Sequence, residues 1–258
     1  MSAQTIAICN RKGGVAKTTT TWALAFGLLN KGKKVLAIDL DPQDANLSTV
    51  LGADKENLQG AYELLNSPDQ NIKDCIQSIN AGLDLVAADN TLANVVIEAF
   101  NPEALCRLSD ALETIKKNYD YILIDTPPTK SALTANAYIA ADEIIIPSEA
   151  DYLAVKGICE LVDSILATTK HMNPNLKIGG IIIEKYRPGT KIQKEMSTMC
   201  ESLGDALNTY VFKTQIRQSV KVQEAQRNQK SIYEHAPHAS VTNDFIAFVD
   251  EFLSREID

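Results

Sequence analysis

Residues 10–21, NRKGGVAKTTTT, stand between an apolar run, TIAIC (5–9), and a segment of helical period, WALAFGLLNKGKK. A strand, a glycine turn and a helix in that order point unpaired helix N–H groups at whatever lies above the turn. The helix dipole favours negative charge there. The common phosphate-loop pattern G-x-x-x-x-G-K-[ST] nevertheless fails twice, because Arg11 and Ala16 hold its glycine positions. Gly13 and Gly14 let the backbone curl, Lys17 can reach β and γ phosphates, and Thr18 is placed to ligate Mg²⁺. The Ala16 methyl costs little if φ is negative at that position. Lys12, a second lysine inside the loop, is the residue the common pattern does not explain.

Apolar, β-branched runs then alternate with stretches of helical period, the pattern of a parallel sheet with helices on both faces. Strands are predicted at 5–9, 34–39, 83–88, 121–125, 143–148, 177–183 and 209–212, and helices from Lys17, Pro102, Ser131, Val155, Lys191 and Val241. Several of these strands are almost wholly apolar, as strands buried on both faces must be. The expected fold is α/β, a single doubly wound, mostly parallel sheet with helices on both faces. Internal repeats, low-complexity tracts and linkers rich in Pro, Gly or Ser are missing, so residues 1–258 are read as one domain.

Two further strands end in acids. In VLAIDLDPQDANLS, Asp39 and Asp41 close the second strand, and in YDYILIDTPPTKSALT, Asp125 closes an apolar strand before a Pro-Pro turn. Ligands of open α/β sheets bind at that carboxyl edge. Alternate carboxylates there can hold a water, support Mg²⁺ or accept a proton, and an acid ending a buried strand is the Walker B arrangement. Thr126, Pro127 and Pro128 begin a segment able to sense a γ phosphate.

The net charge of −8 argues at first sight against nucleic acid, but it is unevenly spread. Residues 185–230 carry nine Lys and Arg against four acids, net +5, which leaves −13 for the rest. Five cysteines, Cys9, Cys75, Cys106, Cys159 and Cys200, are widely spaced without a C-x-x-C pair, and are read as reduced interior or helix residues. No apolar run is long enough to span a bilayer and no leader pattern opens the chain, so a cytoplasmic location is expected. In the C-terminal NDFIAFVDEFLSREID, Phe245, Phe248, Val249 and Phe252 recur at helical spacing between acids. A helix lying on a membrane surface wants a basic polar face. Docking on the chain's own core is therefore expected, with no membrane partner.

KGGVAKTT, DLDPQ, DTPP and LTANAYIAADEIIIPSEADYLAVKGICEL together resemble the ParA family of partition ATPases, a deviant Walker A branch of the P-loop proteins that includes MinD. The stretch TQIRQSVKVQEAQ resembles the family's I-R/P-R-S/N-V-R-x-x-E-A pattern, with Gln218 and Lys221 where arginines are common. The resemblance implies ATP and Mg²⁺ as cofactors, with Lys12, Gly13, Gly14, Val15, Ala16, Lys17, Thr18 and Thr19 forming the nucleotide loop. It implies that Lys12 reaches the nucleotide of a second subunit in an ATP-bound homodimer. Asp41 would position or activate the attacking water beside Lys12 and Lys17, while Thr18, Asp39 and Asp125 serve the metal. It further implies slow hydrolysis, a ParB-like centromere-binding partner, and binding of DNA without sequence preference, which would place the ATP form on the nucleoid. Lys185, Arg187, Lys191, Arg217 and Lys221 are the candidate DNA contacts, since phosphate contacts need no base reading.

The loop begins by residue 10, which leaves no room before it for a helix-turn-helix domain, so operator-specific repression is not expected. A membrane-cycling division regulator like MinD would want a basic amphipathic end where SREID stands. A cluster-carrying reductase would need paired interface cysteines. A positioning ATPase for a protein cargo shares nearly every motif and stays open. The adenine pocket is expected near Glu184–Tyr186 and Thr214–Gln218.

Overall fold

A computed structural model of the chain describes residues 2–43, 47–54, 59–95, 101–149, 152–187, 189 and 191–255, less the side chains of 152–156, 191–194, 196 and 197. Eight strands form one sheet: β1 (Gln4–Ile8), β2 (Val35–Asp39), β3 (Ile76–Asn80), β4 (Leu83–Val86), β5 (Tyr121–Asp125), β6 (Glu143–Glu149), β7 (Lys177–Tyr186) and β8 (Val211–Arg217). Their order is β3-β4-β2-β5-β1-β6-β7-β8, parallel throughout except for the antiparallel β3–β4 pair at one edge. The chain winds one way from β1 to β2 and the other way from β5 to β6. The reversal opens a crevice above the carboxyl end of β1, where such sheets bind ligands.

The described residues also form ten α-helices, besides three short 3-10 turns: α1 (Lys17–Asn30), α2 (Leu47–Val50), α3 (Ala61–Asn66), α4 (Pro102–Glu113), α5 (Ala132–Ala140), α6 (Tyr152–Thr169), α7 (Lys191–Leu207), α8 (Val220–Arg227), α9 (Ile232–His235) and α10 (Ser240–Ser254). The sheet separates two apolar clusters. Leu64, Leu108, Leu112, Leu133, Ile158, Leu161 and Leu203 place α3 to α7 on one face. Trp22, Leu24, Leu28, Leu47, Ala225, Ile232, Phe245 and Phe248 place α1, α2 and α8 to α10 on the other. The doubly wound expectation is met.

The central strands β2 and β5 are buried at every position, which is why their sequences read as unbroken apolar runs. Strand β3, IQSIN, was not expected. As a half-exposed edge strand it carries no apolar run, and a turn through Gly82 at φ 94 holds it against β4. Strand β8 runs past the expected TYVF as far as Arg217, with Phe212 and Ile216 turned inward and polar residues between them. Helix α6 begins three residues before the expected Val155, whose side chain lies outside the described residues. Asn101 caps α4 by accepting from Glu103 N and Ala104 N ahead of Pro102, and Ser131 caps α5 within a capping box.

Helix α10 docks on the chain's own core, with Phe245, Phe248 and Phe252 fully buried. Phe248 meets Phe212 edge to face at 4.9 Å, and Phe252 meets Tyr121 at 5.8 Å. Each buried ring removes enough apolar surface from water to contribute about 2–3 kcal/mol. Among the described residues no helix is long and apolar enough to cross a membrane.

Candidate nucleotide site

The loop between β1 and α1 curls as glycine-rich phosphate loops do, with one correction to the sequence expectation. Gly14 has φ 76, and Ala16 sits in the left-handed region at φ 74, ψ 24. The Ala16 methyl is therefore not free of cost; a non-glycine residue there is disfavoured by about 1 kcal/mol. Anchors on both sides offset it. Asn10 Oδ1 accepts from Lys12 N at 3.0 Å while its Nδ2 donates to Pro147 O at 2.8 Å, and Val15 is fully buried. Thr20 N closes the first helical turn on Ala16 O at 2.8 Å.

Lys17 lies at the bottom of this loop, only 7% exposed, and burial lowers its pKa against the opposing pull of Asp125 and then Asp41. Asp125, fully buried at the end of β5, accepts from the Thr18 hydroxyl at 2.6 Å and from the Thr21 hydroxyl at 3.5 Å. Burial and then the charge of Asp39 push Asp125 well above the ordinary carboxylate range, although Thr18 and Lys17 pull the other way. Parallel register explains the crowding, since Asp39 of β2 pairs directly with Asp125 of β5.

Asp39 is placed differently from Asp41. Its Oδ2 accepts from Ser48 N at 2.8 Å and Ser48 Oγ at 2.6 Å, and its Oδ1 accepts from Asp41 N at 3.0 Å. Ser48 Oγ in turn accepts from Ala88 N at 2.8 Å, so Asp39 ties together the ends of β2, α2 and the segment after β4. Burial pushes Asp39 up to about 6 in spite of these donors. Asp41, 8% exposed, accepts from Gln43 N at 3.2 Å and lines the cavity, and burial raises its pKa too. Asp39 thus holds the backbone that aims Asp41.

A cavity of about 390 Å³ opens beside the loop, within the size of small-molecule sites. It is lined by Gly13, Gly14, Lys17, Thr18, Asp41 and Pro128. Glu184 and Lys185 of β7, Ile216 and Arg217 of β8, Gln218, and Val222, Gln223 and Gln226 of α8 complete its wall. Gln226 Nε2 donates to Thr19 Oγ1 at 3.1 Å, which joins α8 to the loop helix. The segments expected around the base contribute Glu184, Lys185, Ile216, Arg217 and Gln218 to this lining; α8, expected to contact nucleic acid through Lys221, and Phe245 of α10, expected only to dock on the core, line it as well.

The donor set suits Mg²⁺, a hard cation that prefers oxygen ligands and keeps waters and substrate phosphates in its shell. Thr18 and Asp125 offer hydroxyl and carboxylate oxygens side by side at the helix N-terminus. Among the described residues no group of three or more His, Cys, Asp or Glu forms a complete protein cage. A metal here would need the substrate to complete its coordination.

The two remaining lysines of interest meet at Glu149. Lys12 Nζ lies 3.6 Å from Glu149 Oε2, and Lys185 Nζ lies 2.9 Å from Oε1 while also donating to the Gly14 carbonyl. Lys185, expected on a nucleic-acid face, thus stands on the phosphate loop, from a left-handed backbone at φ 56. Arg217 is held by Asp244 through two hydrogen bonds of 2.6 and 2.8 Å. Arg187 Nε donates to Gln218 Oε1 at 2.7 Å, and Lys221 pairs with Glu224 at 2.8 Å, both on the outer side near Ser219. Lys191 opens α7, and its side chain lies outside the described residues.

Comparisons with known proteins agree with this geometry. A protein-family model described as an AAA domain matches residues 3–178. The chain is 35% identical over 237 residues to the sporulation initiation inhibitor protein Soj of Bacillus subtilis, covering 91% of this chain and 92% of Soj. It is 33% identical over 258 residues to the chromosome partitioning protein ParA of Caulobacter vibrioides, covering 98% and 95%. Among solved structures, cobyrinic acid a,c-diamide synthase from Mycobacterium smegmatis with bound ATP analog and magnesium superposes with a TM-score of 0.82 at 25% identity, covering 99% of this chain and 96% of that one.

Proposed function

This chain belongs to the ParA and Soj family of partition ATPases, and on that premise we propose that it is an ATP-dependent dimerising switch for DNA segregation. One observation carries the proposal. Lys17, Thr18 and Asp41 line a nucleotide-sized cavity, with Asp125 behind Thr18, beside a loop that also bears Lys12.

In this reading residues 1–258 act as one ATPase domain, and ATP lies with its phosphates on Gly13, Gly14, Val15, Ala16, Lys17, Thr18 and Thr19. The loop N–H groups and Lys17 bear the phosphate charge. Mg²⁺, held by the Thr18 hydroxyl with Asp125 behind it, would neutralise the β and γ oxygens. Asp41, aimed by Asp39, orients the water that attacks the γ phosphate. Asp39 would support the metal shell from behind, with Ser48 and Asp41 N engaging both of its oxygens.

Lys12 serves the nucleotide of a second subunit. Its contact with Glu149 is compatible with that role, because the pair is 45% and 31% exposed and such pairs contribute only about 0–1 kcal/mol. Partner binding can outcompete an interaction of that size. Hydrolysis is slow and rises with a ParB-like partner, and the dimer rides on nucleoid DNA through Arg187, Lys191 and Lys221. Lys185 and Arg217 contribute less to DNA binding, because the first sits on the loop and the second on Asp244.

Sedimentation of the wild type and of Asp41→Ala with ADP and with ATP, each with and without non-specific duplex DNA, tests the switch. An Asp41→Ala protein that is monomeric with ADP, dimeric with ATP and DNA-bound only as the dimer supports it. If ATP changes neither mass nor DNA binding, the switch reading fails. For the DNA face, reversing charge at Arg187 and Lys221 should lower affinity and flatten the salt dependence by about one unit of slope per lost contact.

A further inference from the structure

Lys185 is the strained residue of the cavity wall. It is the penultimate residue of β7 and has φ 56, a left-handed backbone that a non-glycine residue seldom adopts. Such a conformation persists only where its surroundings hold it, and it collects at functional sites. In a regular strand consecutive side chains point to opposite faces. A positive φ swings the Lys185 Cβ to the other side, so Glu184 and Lys185, though adjacent, both reach the phosphate loop. Glu184 Oε1 accepts from the Thr20 hydroxyl at 2.7 Å, and that hydroxyl also lies 2.9 Å from Ala16 O. Lys185 Nζ donates to the Gly14 carbonyl, and to Glu149 Oε1 at 2.9 Å.

The loop needs an outside hold. Gly14 is at φ 76 and Ala16 follows at φ 74. Among the described residues, nothing beyond the chain neighbours lies within 4 Å of where a Cβ on Gly13 or Gly14 would stand. Side-chain packing therefore does not steady the Gly14 peptide, and glycine resists its rotation little. A peptide unit is planar and trans, so its carbonyl and the N–H that follows point in opposite directions. A cation held on the Gly14 carbonyl thus fixes the direction of the Val15 N–H.

We propose that Lys185 is a positioning residue of the nucleotide site, which sets the Gly14–Val15 peptide of the phosphate loop before a nucleotide arrives. The inference rests on the nucleotide reading given above and adds to it a residue, distant in sequence, that prepares the loop. Glu149, at the end of β6, completes the arrangement by anchoring the ammonium. A partly exposed ion pair stabilises a fold little, so this pair alone gives no reason for a strained backbone. Placed on the loop carbonyl, it supplies one. Donors already aimed at a ligand need no reorganisation when it binds, and that gain appears as affinity.

The test is calorimetric titration of the full chain with ADP and Mg²⁺, with thermal unfolding of the nucleotide-free protein followed in parallel. Lys185→Met keeps the aliphatic stem and removes the charge. Its ADP affinity should fall about tenfold, the loss of one charge-assisted hydrogen bond. Lys185→Gly separates position from strain, because glycine accepts φ 56 freely. It should unfold at no lower temperature than Lys185→Met yet bind ADP as weakly, and it also serves if Lys185→Met does not fold. Combining Lys185→Met with Glu149→Gln removes the carboxylate left without its cation, and the loss of affinity should remain.

ADP affinity left unchanged by Lys185→Met overturns the inference. So does wild-type affinity in Lys185→Gly, which would make the backbone the whole effect, or recovery in the double variant, which would make it repulsion by Glu149. Unchanged ADP affinity together with a smaller salt slope in DNA binding would return Lys185 to the DNA face. A wild type that binds no ADP overturns the nucleotide reading itself, and this inference with it.

Discussion

The two edges of the sheet treat their acids in opposite ways. At the amino edge, where β1, β6 and β7 begin, Glu143 accepts from Arg255 Nη2 and Gln4 Nε2, each at 3.0 Å. The same guanidinium donates to Gly179 O and lies over the Phe212 ring at 4.4 Å. Nearby, Glu251 accepts from Tyr210 Oη and Lys213 N at 2.7 Å and from Thr214 N at 2.9 Å. Burial raises its pKa, but these hydrogen bonds outweigh burial and leave it below the usual range. At the carboxyl edge, Asp39, Asp41 and Asp125 crowd around Lys17, and all three acids are raised, first by burial. One edge is a structural joint whose acids are paired. The other carries electrostatic cost that folding alone does not repay, the mark of a site arranged for a ligand.

That contrast can be broken by substitution. The largest effect should come from Lys17→Ala, which removes the main positive group facing the phosphates. ATP turnover should fall by roughly 10²–10³-fold, as loss of one preorganised charge-stabilising group does, read in a steady-state phosphate-release assay. At the opposite edge, Arg255→Ala should cost about 3 kcal/mol in urea unfolding, because it strands Glu143 without its cation. Turnover per folded molecule should stay near wild type. A turnover loss as large as that of Lys17→Ala would show that the two edges are not separate.

Acidity sharpens the comparison further. Glu184 holds its proton in the folded state up to about pH 8, whereas the unfolded group loses it near 4.5. The folded state therefore binds more protons across that window, so the stability contributed by Glu184 falls as pH rises through it. Between pH 6 and 8.5 the wild type should lose about 2 kcal/mol more than Glu184→Gln in paired urea titrations. Parallel slopes for the two proteins would remove Glu184 from the set of strained acids.

Smaller effects complete the series. Asp125→Asn should raise the stability of the nucleotide-free protein by roughly 1 kcal/mol while abolishing most turnover, the exchange expected where function is held at a cost in stability. Glu143→Gln, at the paired joint, should lower stability instead. Glu149→Gln should change stability by less than about 1 kcal/mol, as expected for a half-exposed pair. Its effect should fall on ATP-dependent dimer formation, measured by sedimentation, because the Lys12–Glu149 contact is then lost.

Much of this molecule was legible in the sequence. Strands such as VLAID and YILID are buried on both faces, so their composition alone announces them, and the turn KGGVAKTT carries its chemistry within eight residues. Asp39 and Asp125 were readable because a strand's last residue always lies at its carboxyl edge, and Asp41 follows two positions after the first. The edge strand β3 was not, since a half-exposed strand needs no apolar run. The Ala16 backbone was also misjudged, as an alanine gives no local warning that the loop demands a positive φ.

What the sequence by itself determined is therefore what is local or periodic: the alternation of strand and helix, the phosphate loop, and the acids that end strands. Tertiary structure alone decided which distant residues meet. It took Lys185 from a basic segment with net charge +5 and set it on the loop carbonyl of Gly14. It placed Glu184 against Thr20, 164 positions away, and Arg255 against Glu143, 112 positions away. The register of eight strands settles such pairings through the packing of both faces at once. A sum of charges along the chain carries no information about direction in space.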